Sequence, residues 1–203
     1  MAVIPIALAT EDELSEAIAL RLIGELKKPH YISHKLRRGG AGYLYKKMGS
    51  WYQMAQYQIM LILTDLDHAK CPVEYREKWL SQKSVPANLV FRIAVREVES
   101  WVLADHQGMR ELIGNKGVLP REPDILDDPK QTFLELAKVA SKNIRDDLIK
   151  NVDGHLRPGL GYNFQLTRWI KSSWSPERAS ERSPSLARAR KRLREAVKLF
   201  VKA

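Results

Sequence analysis

Five carboxylates carry the chemistry that this sequence could perform. Glu11 follows the short apolar run Val3 to Thr10, Asp65 and Asp67 end the run Gln58 to Thr64, and Glu97 and Glu99 follow the run Leu89 to Val95. In an open α/β sheet, ligands sit beyond the carboxyl ends of the strands, so three acidic clusters from separate parts of the chain are expected to converge there. Carboxylates in close array repel and raise each other's pKa. A divalent cation, Mg2+ or Mn2+, relieves that repulsion, and Mg2+ prefers hard oxygen ligands with several waters retained. Such an ion orients a phosphodiester, helps form a hydroxide nucleophile and stabilises the leaving oxygen. Asp65 and Asp67 stand two apart, so both side chains can point to one side once the chain turns; taken alone, the pair also suits a plain polar turn. On a helix Glu97 and Glu99 lie about 200° apart, from the step of about 100° per residue. One of them is expected to face the site and the other to pair with a basic neighbour.

Basic residues supply the complementary half. A lysine near such a site, Lys130, could stabilise charge on a pentavalent phosphate, although an exposed first-turn lysine is the plainer reading. Arg37-Arg38-Gly39-Gly40-Ala41-Gly42 reads as a flexible basic loop whose glycines let a phosphate backbone come close, and it lacks the Gly-Lys-Ser/Thr ending of a P-loop. His30, His34, His68, His106 and His155 show no regular ligand spacing.

The elements that must position these groups alternate. The run before Glu11 predicts a buried strand, and Leu14, Ala17, Ile18, Ile23 and Leu26 recur at helical spacing over about 11–28. Residues 30–36 suit a second strand, 43–57 a helix, 58–64 the strongest strand, 74–79 a short helix, and 89–95 a fourth strand running into a helix through Glu97 and Glu99 to Asp105. Strands alternating with helices imply an α/β, Rossmann-like fold: a mostly parallel four-stranded sheet flanked by helices. After Gly117 the pattern is of helices only. Asp128-Pro129-Lys130-Gln131 has the cap and proline of a helix start, a Gly/Pro-rich loop covers 154–161, and Ser183-Pro184 opens a last helix. The expected division is an α/β core over residues 1–116 and a basic helical region over 117–203, packed on or beside it.

Composition fits an ordinary globular chain. Among 203 residues, 34 Lys+Arg against 24 Asp+Glu give a net charge of +10. Residues 161–203 hold 11 basic and 3 acidic side chains, or +8, leaving only +2 for the first 160. The last helix sets Arg188, Arg190, Lys191, Arg192 and Arg194 around an apolar stripe. Arg188 and Arg192, with Arg37 and Arg38, are the candidates for contact with a nucleic-acid backbone. The single cysteine, Cys71, excludes an intrachain disulfide. With neither an apolar run near the roughly 20 residues of a membrane helix nor a basic leader, a cytoplasmic protein with no membrane partner is expected.

Taken together, Thr10-Glu-Asp-Glu-Leu-Ser-Glu, Leu63-Thr-Asp-Leu-Asp and Val95-Arg-Glu-Val-Glu-Ser-Trp-Val-Leu-Ala-Asp resemble the TOPRIM-like family. The likeness is to small stand-alone members found beside ATPase genes in bacterial defence loci, and more distantly to the overcoming-lysogenization-defect nucleases. It covers roughly the first 110 residues; the remainder is matched only through Asp128-Pro-Lys130 and Gly159-Leu-Gly-Tyr-Asn. The resemblance implies that Glu11 is a general acid/base or metal ligand, that Asp65 and Asp67 form the metal-binding pair, and that Glu97 and Glu99 occupy the later acidic position. Where the family has glycine after its first glutamate this chain has Asp12, which leaves the role to Glu11 or Glu13. The implied function is a Mg2+- or Mn2+-dependent nuclease acting on DNA or RNA, working with an ATPase partner in anti-phage defence. The alternative is a non-catalytic TOPRIM-fold module that binds nucleic acid or serves as an adaptor. Nucleotidyl transfer and strand passage fit a short chain less well, and no tyrosine stands out as a nucleophile.

Overall fold

Alternating apolar and amphipathic segments build a four-stranded sheet in the computed structural model, which describes residues 3–37, 39–80 and 84–202. The chain divides into two units, Met1–Ala94 with Arg188–Ala203, and Val95–Ala187.

In the first unit, strand β1 (Ile4–Thr10) leads to helix α1 (Glu13–Gly24), which starts where Asp12 accepts a hydrogen bond from the Ser15 amide at 2.8 Å. That carboxylate also lies at the positive end of the helix dipole. Leu14, Ala17, Ile18, Leu22 and Ile23 form its buried face. Strand β2 (His30–Arg37) follows. The stretch predicted as one helix over 43–57 is two, α2 (Gly40–Lys46) and α3 (Met48–Met54), broken at Lys47. Gly39 and Gly40 have φ of +58° and +69°, a turn that glycine adopts without strain. This turn feeds α2 directly, so the expected loop ends at Gly39, three residues earlier than Gly42.

Strand β3 (Ile59–Asp65) is buried along its whole length, helix α4 (Pro72–Trp79) begins on a proline, and strand β4 (Leu89–Ala94) completes the sheet. All pairings are parallel and the order is β2-β1-β3-β4, so the four-stranded, all-parallel Rossmann-like sheet expected from the alternation is the one observed. The chain moves from β1 outward to β2, then returns to lay β3 on the other side of β1. The direction of winding therefore reverses between β1 and β3, and their carboxyl ends border the crevice that this reversal opens.

The second unit is mainly helical: α5 (Glu99–Ala104), α6 (His106–Ile113), a 3-10 turn (Pro123–Ile125), α7 (Pro129–Ala137) and α8 (Lys142–Leu148). A hairpin of β5 (Ile149–Val152) and β6 (His155–Pro158) comes next, then α9 (Tyr162–Ser172), α10 (Pro176–Ser180) and the start of α11 (Pro184–Lys202), which from Arg188 onward belongs to the first unit. The hairpin corrects the expectation of helices only after Gly117. It turns at Asp153 and Gly154, both at positive φ (+52° and +81°), as a two-residue hairpin turn of the Asp-Gly kind requires. Its core centres on two fully buried tryptophans: Trp101 Nε1 donates to Ser185 Oγ at 2.7 Å, and Trp174 Nε1 donates to the Trp101 carbonyl at 3.2 Å. Asp105, with no exposed surface, caps α6 through the Gly108 amide and takes a two-pronged contact from Arg178 at 2.7 Å. Among the described residues, no helix is long and apolar enough to cross a membrane.

Candidate functional site

Glu11 leaves the carboxyl end of β1 and reaches across to β3. Its Oε1 accepts hydrogen bonds from the Thr64 hydroxyl and, at 2.9 Å, from the Asp65 amide. The strands bring these groups together because Thr10 stands opposite Leu63 in the parallel register, so both chains emerge from the sheet at one level. Burial raises the Glu11 pKa above the ordinary carboxylate value; the Thr64 and Asp65 hydrogen bonds act in the opposite direction, and the charges of Asp67 and Asp12 add to the rise. Asp65 is itself nearly buried, at 9% exposure. Asp67, at φ +49°, turns the chain immediately after β3, which keeps its charge close enough to act on Glu11. A Cβ added to Gly40 would lie 4.0 Å from Glu11 Oε2. The glycine turn predicted to admit a phosphate backbone thus passes beside this carboxylate.

Between the two glutamates that sequence reasoning left open, the structure separates the positions. Glu11 touches β3, whereas Glu13 is the first residue of α1 and, with Glu16, forms ion pairs to Arg37 at 3.9 and 3.6 Å. Arg37, predicted to face nucleic acid, is therefore engaged on the α1 surface. Arg38, predicted with it, lies outside the described residues.

Glu97 and Glu99 belong to the second unit, and there the expected geometry is corrected. Glu97 precedes α5 in a turn that begins at Arg96 with φ +61°, so the two do not share a helix and the 200° separation does not apply. Both carboxylates reach Lys130. Its ammonium lies 3.2 Å from Glu97 Oε1 and 3.6 Å from Glu99 Oε1, and its backbone N–H, in the first turn of α7, donates to Glu97 Oε2 at 3.0 Å. Glu99 Oε1 also accepts from the Tyr162 hydroxyl at 2.9 Å, while Oε2 is buried with no hydrogen-bond partner among the described residues. Burial pushes the Glu99 carboxyl up to about 6; Lys130 opposes the rise, Glu97 adds to it, and the Tyr162 hydroxyl again opposes it.

Two further groups at the Glu11 site carry no motif. Thr64 is the last residue before Asp65 and was taken simply as strand. Tyr75, on α4, is pushed above the ordinary phenol value by burial; the Thr64 hydroxyl acts against that, and the carboxylates of Glu11 and Asp67 contribute to it. A helical-spacing signal was present, because Tyr75 and Trp79 are four apart and Trp79 stacks on Phe91 of β4 at 5.0 Å, which identifies the inner face of α4.

The donor chemistry of Glu11, Asp65 and Asp67 is that of a hard divalent cation. Among the described residues no group of three or more His, Cys, Asp or Glu side chains is assembled that could by itself hold a metal ion. Comparison with protein-family models, with curated proteins and with solved structures returned no match to this chain.

Proposed function

We propose that this protein is a divalent-metal-dependent nuclease that hydrolyses phosphodiester bonds of DNA or RNA at the carboxyl ends of β1 and β3. The observation that carries the reading is the position of Glu11: a half-buried carboxylate at the reversal of strand order, tied to β3 by Thr64 and Asp65, with acidic neighbours acting on it. Mg2+ or Mn2+ recruited through one or two of the carboxylates Glu11, Asp65 and Asp67, with water and substrate oxygens completing its shell, would orient a phosphodiester and offset its charge. The chain's own residues do the rest. Thr64 and the Asp65 amide fix one oxygen of Glu11, and the raised pKa of that carboxyl moves it toward a group that can take and return a proton near neutrality. The glycine turn at Gly39 and Gly40 leaves room beside it for a phosphate. The TOPRIM-like resemblance supports the same reading and extends it to an ATPase partner and a role in anti-phage defence.

The test is cleavage of single- and double-stranded DNA and RNA with Mg2+, Mn2+ or EDTA, comparing wild type with the Asp65→Ala/Asp67→Ala double variant. Cleavage should require the metal and fall by roughly two orders of magnitude or more in the variant. Cleavage in EDTA, or cleavage untouched by the double substitution, would overturn the mechanism. A second reading, a binding module without turnover, predicts salt-sensitive binding and no Mn2+-dependent rise in melting temperature.

A further inference from the structure

The strongest unexplained feature lies on β4. Arg92 is the one charged residue in an otherwise apolar strand, between Phe91 and Ile93. β4 is the outer strand of the sheet. The Arg92 Nε is shut off from solvent, with no hydrogen-bond partner among the described residues. A buried donor left unmatched is costly and uncommon in native proteins.

Its surroundings increase the cost. Burial lowers the Arg92 pKa to about 10, and the next causes are three further guanidinium groups: Arg188, Arg76 and Arg192. Arg192 shows the same pattern, lowered first by burial and also by Arg76, with Glu195 the acidic group acting against it. Arg76 of α4 and Arg188 and Arg192 of α11 each repel Arg92 on β4, and Arg76 also acts on Arg192. Three of the four, Arg76, Arg92 and Arg192, line a cavity of about 250 Å3 together with Leu80, Pro86 and Phe91 among others. At about 30 Å3 per water, the cavity holds several waters or one small polar group.

We propose that this cavity is a phosphate-binding site, in which the guanidinium groups of Arg76, Arg92 and Arg192 hold the phosphate of a nucleotide or of a nucleic-acid strand, with Arg188 adding positive charge near Arg92. A phosphate is the ligand whose chemistry answers each observation. It brings more than one negative charge to offset mutual repulsion, it has several acceptor oxygens, and guanidinium groups bind it through paired hydrogen bonds. A single carboxylate offers only two oxygens and one charge to four cations. The apolar part of the lining, Leu80, Pro86 and Phe91, gives a sugar or base room to pack. The proposal stands apart from the nuclease reading, because none of the four arginines belongs to the Glu11 cluster.

Isothermal titration and thermal melting in phosphate-free, low-salt buffer with EDTA would test it, since the absence of metal separates this site from the proposed metal centre. The probes are inorganic pyrophosphate, AMP, adenosine and a twelve-residue oligothymidylate. Wild type should bind at least one phosphate-bearing probe and ignore adenosine. Arg92→Met and Arg76→Ala should each weaken that binding by about tenfold or more, the effect of losing a charge-assisted contact. Arg194→Ala, whose arginine pairs with Glu25 instead, should leave it unchanged. Binding of AMP and pyrophosphate would mark a small phosphorylated ligand, and binding of the oligonucleotide alone would mark a strand backbone; both support the site. A wild type that binds none of the probes, or an Arg76→Ala variant that binds as tightly as wild type, overturns it. Arg76 lies on the exposed surface of α4, so that variant decides the matter even if Arg92→Met does not fold.

Discussion

Replacing Glu99 by glutamine should change the stability of the protein in a way that depends on pH, and the size of the effect follows from the site. The Glu99 side chain is 2% exposed, and its carboxyl is pushed from 4.5 up to about 6, with burial the largest cause. A rise of about 1.5 units, at 1.36 kcal/mol per unit, is about 2 kcal/mol. The folded chain holds this proton more tightly than the unfolded chain does. Wild-type stability therefore rises as pH falls from about 6 to 4.5, and above pH 6 the ionised, buried carboxylate costs the fold about 2 kcal/mol. Glutamine carries no charge, keeps the acceptor that the Tyr162 hydroxyl uses at 2.9 Å, and places an amide where Oε2 has no partner. The unmatched amide and the lost Lys130 contact shift the variant's baseline. The pH-dependent part remains: the stability of Glu99→Gln relative to wild type should improve by about 2 kcal/mol between pH 4.5 and pH 7.5. In melting temperature that is roughly 4–8 °C for a chain of this size. Urea titrations at the two pH values, followed by fluorescence of the buried Trp101 and Trp174, read this difference. A variant-minus-wild-type difference that is flat with pH, or that worsens toward neutrality, would refute the placement of Glu99 as a buried, desolvated acid.

Three further outcomes are expected. Asp105→Ala removes the acceptor for Arg178, Gly108 and Ser175 and should destabilise by about 3–5 kcal/mol in urea unfolding, the cost of breaking a buried ion pair; Asp128→Ala, which removes an exposed cap, should lose only about 1 kcal/mol. Gly159→Ala puts a Cβ 2.3 Å from the Asp147 carbonyl oxygen and should lower stability by at least about 2 kcal/mol, whereas Gly24→Ala, with nothing within 4 Å, should be neutral or mildly stabilising in the same assay. Asp67→Asn removes one of the charges that raise Glu11, so the Glu11 carboxyl should titrate at lower pH than in wild type, read by carbon-detected NMR of the side-chain carboxyl; a titration moved upward would contradict the assigned electrostatics.

Legibility followed the physical strength of each signal. β3 and β4 were plain because a parallel strand buried on both faces is a continuous apolar run, and three such runs, β1, β3 and β4, separated by helical spacing admit few arrangements. Asp128, Pro129 and Gln131 announced α7 through capping chemistry, which is local, and Asp128 does accept from the Gln131 amide at 2.7 Å. Glu11 and Asp65 were legible as neighbours because each stands at a strand end and the parallel register brings those ends to one level. The hairpin at Asp153-Gly154 was missed although its turn signal stood in the sequence; its two strands are only four residues each and mostly exposed, so no apolar alternation reinforced the turn. Glu97 and Glu99 were misplaced because a bulky residue at positive φ, Arg96, interrupts what periodicity reads as continuous helix. Tyr75 and Arg92 were invisible as functional candidates for a shared reason. Each matters through neighbours distant in sequence, and only the tertiary fold assembles those.

The net charge of +10 shows how far a compositional signal must be divided before it means anything. On the sequence, the arginines of α11 read as one basic surface. In the fold they serve different ends. Arg190 grips Glu25 through two hydrogen bonds of 2.8 and 2.9 Å, and Arg194 reaches the same carboxylate at 3.5 Å. Arg192 donates to the carbonyls of Ala87 and Leu89 at the start of β4. These contacts seat the last helix against the elements beside it; Glu25 matches the charge of Arg190, whereas Arg192 donates to neutral carbonyls and still lines the cavity beside Arg92. Arg188 differs, since its described electrostatic role is to repel Arg92. Reversing Arg190 should therefore loosen the helix and lower the melting temperature at any salt concentration. Reversing Arg188 should relieve repulsion, raise stability in anion-free buffer by up to about 1 kcal/mol, as for a partly screened charge, and weaken anion binding. If both reversals had the same sign on stability, the division of the helix into a docking half and an anion-facing half would be wrong.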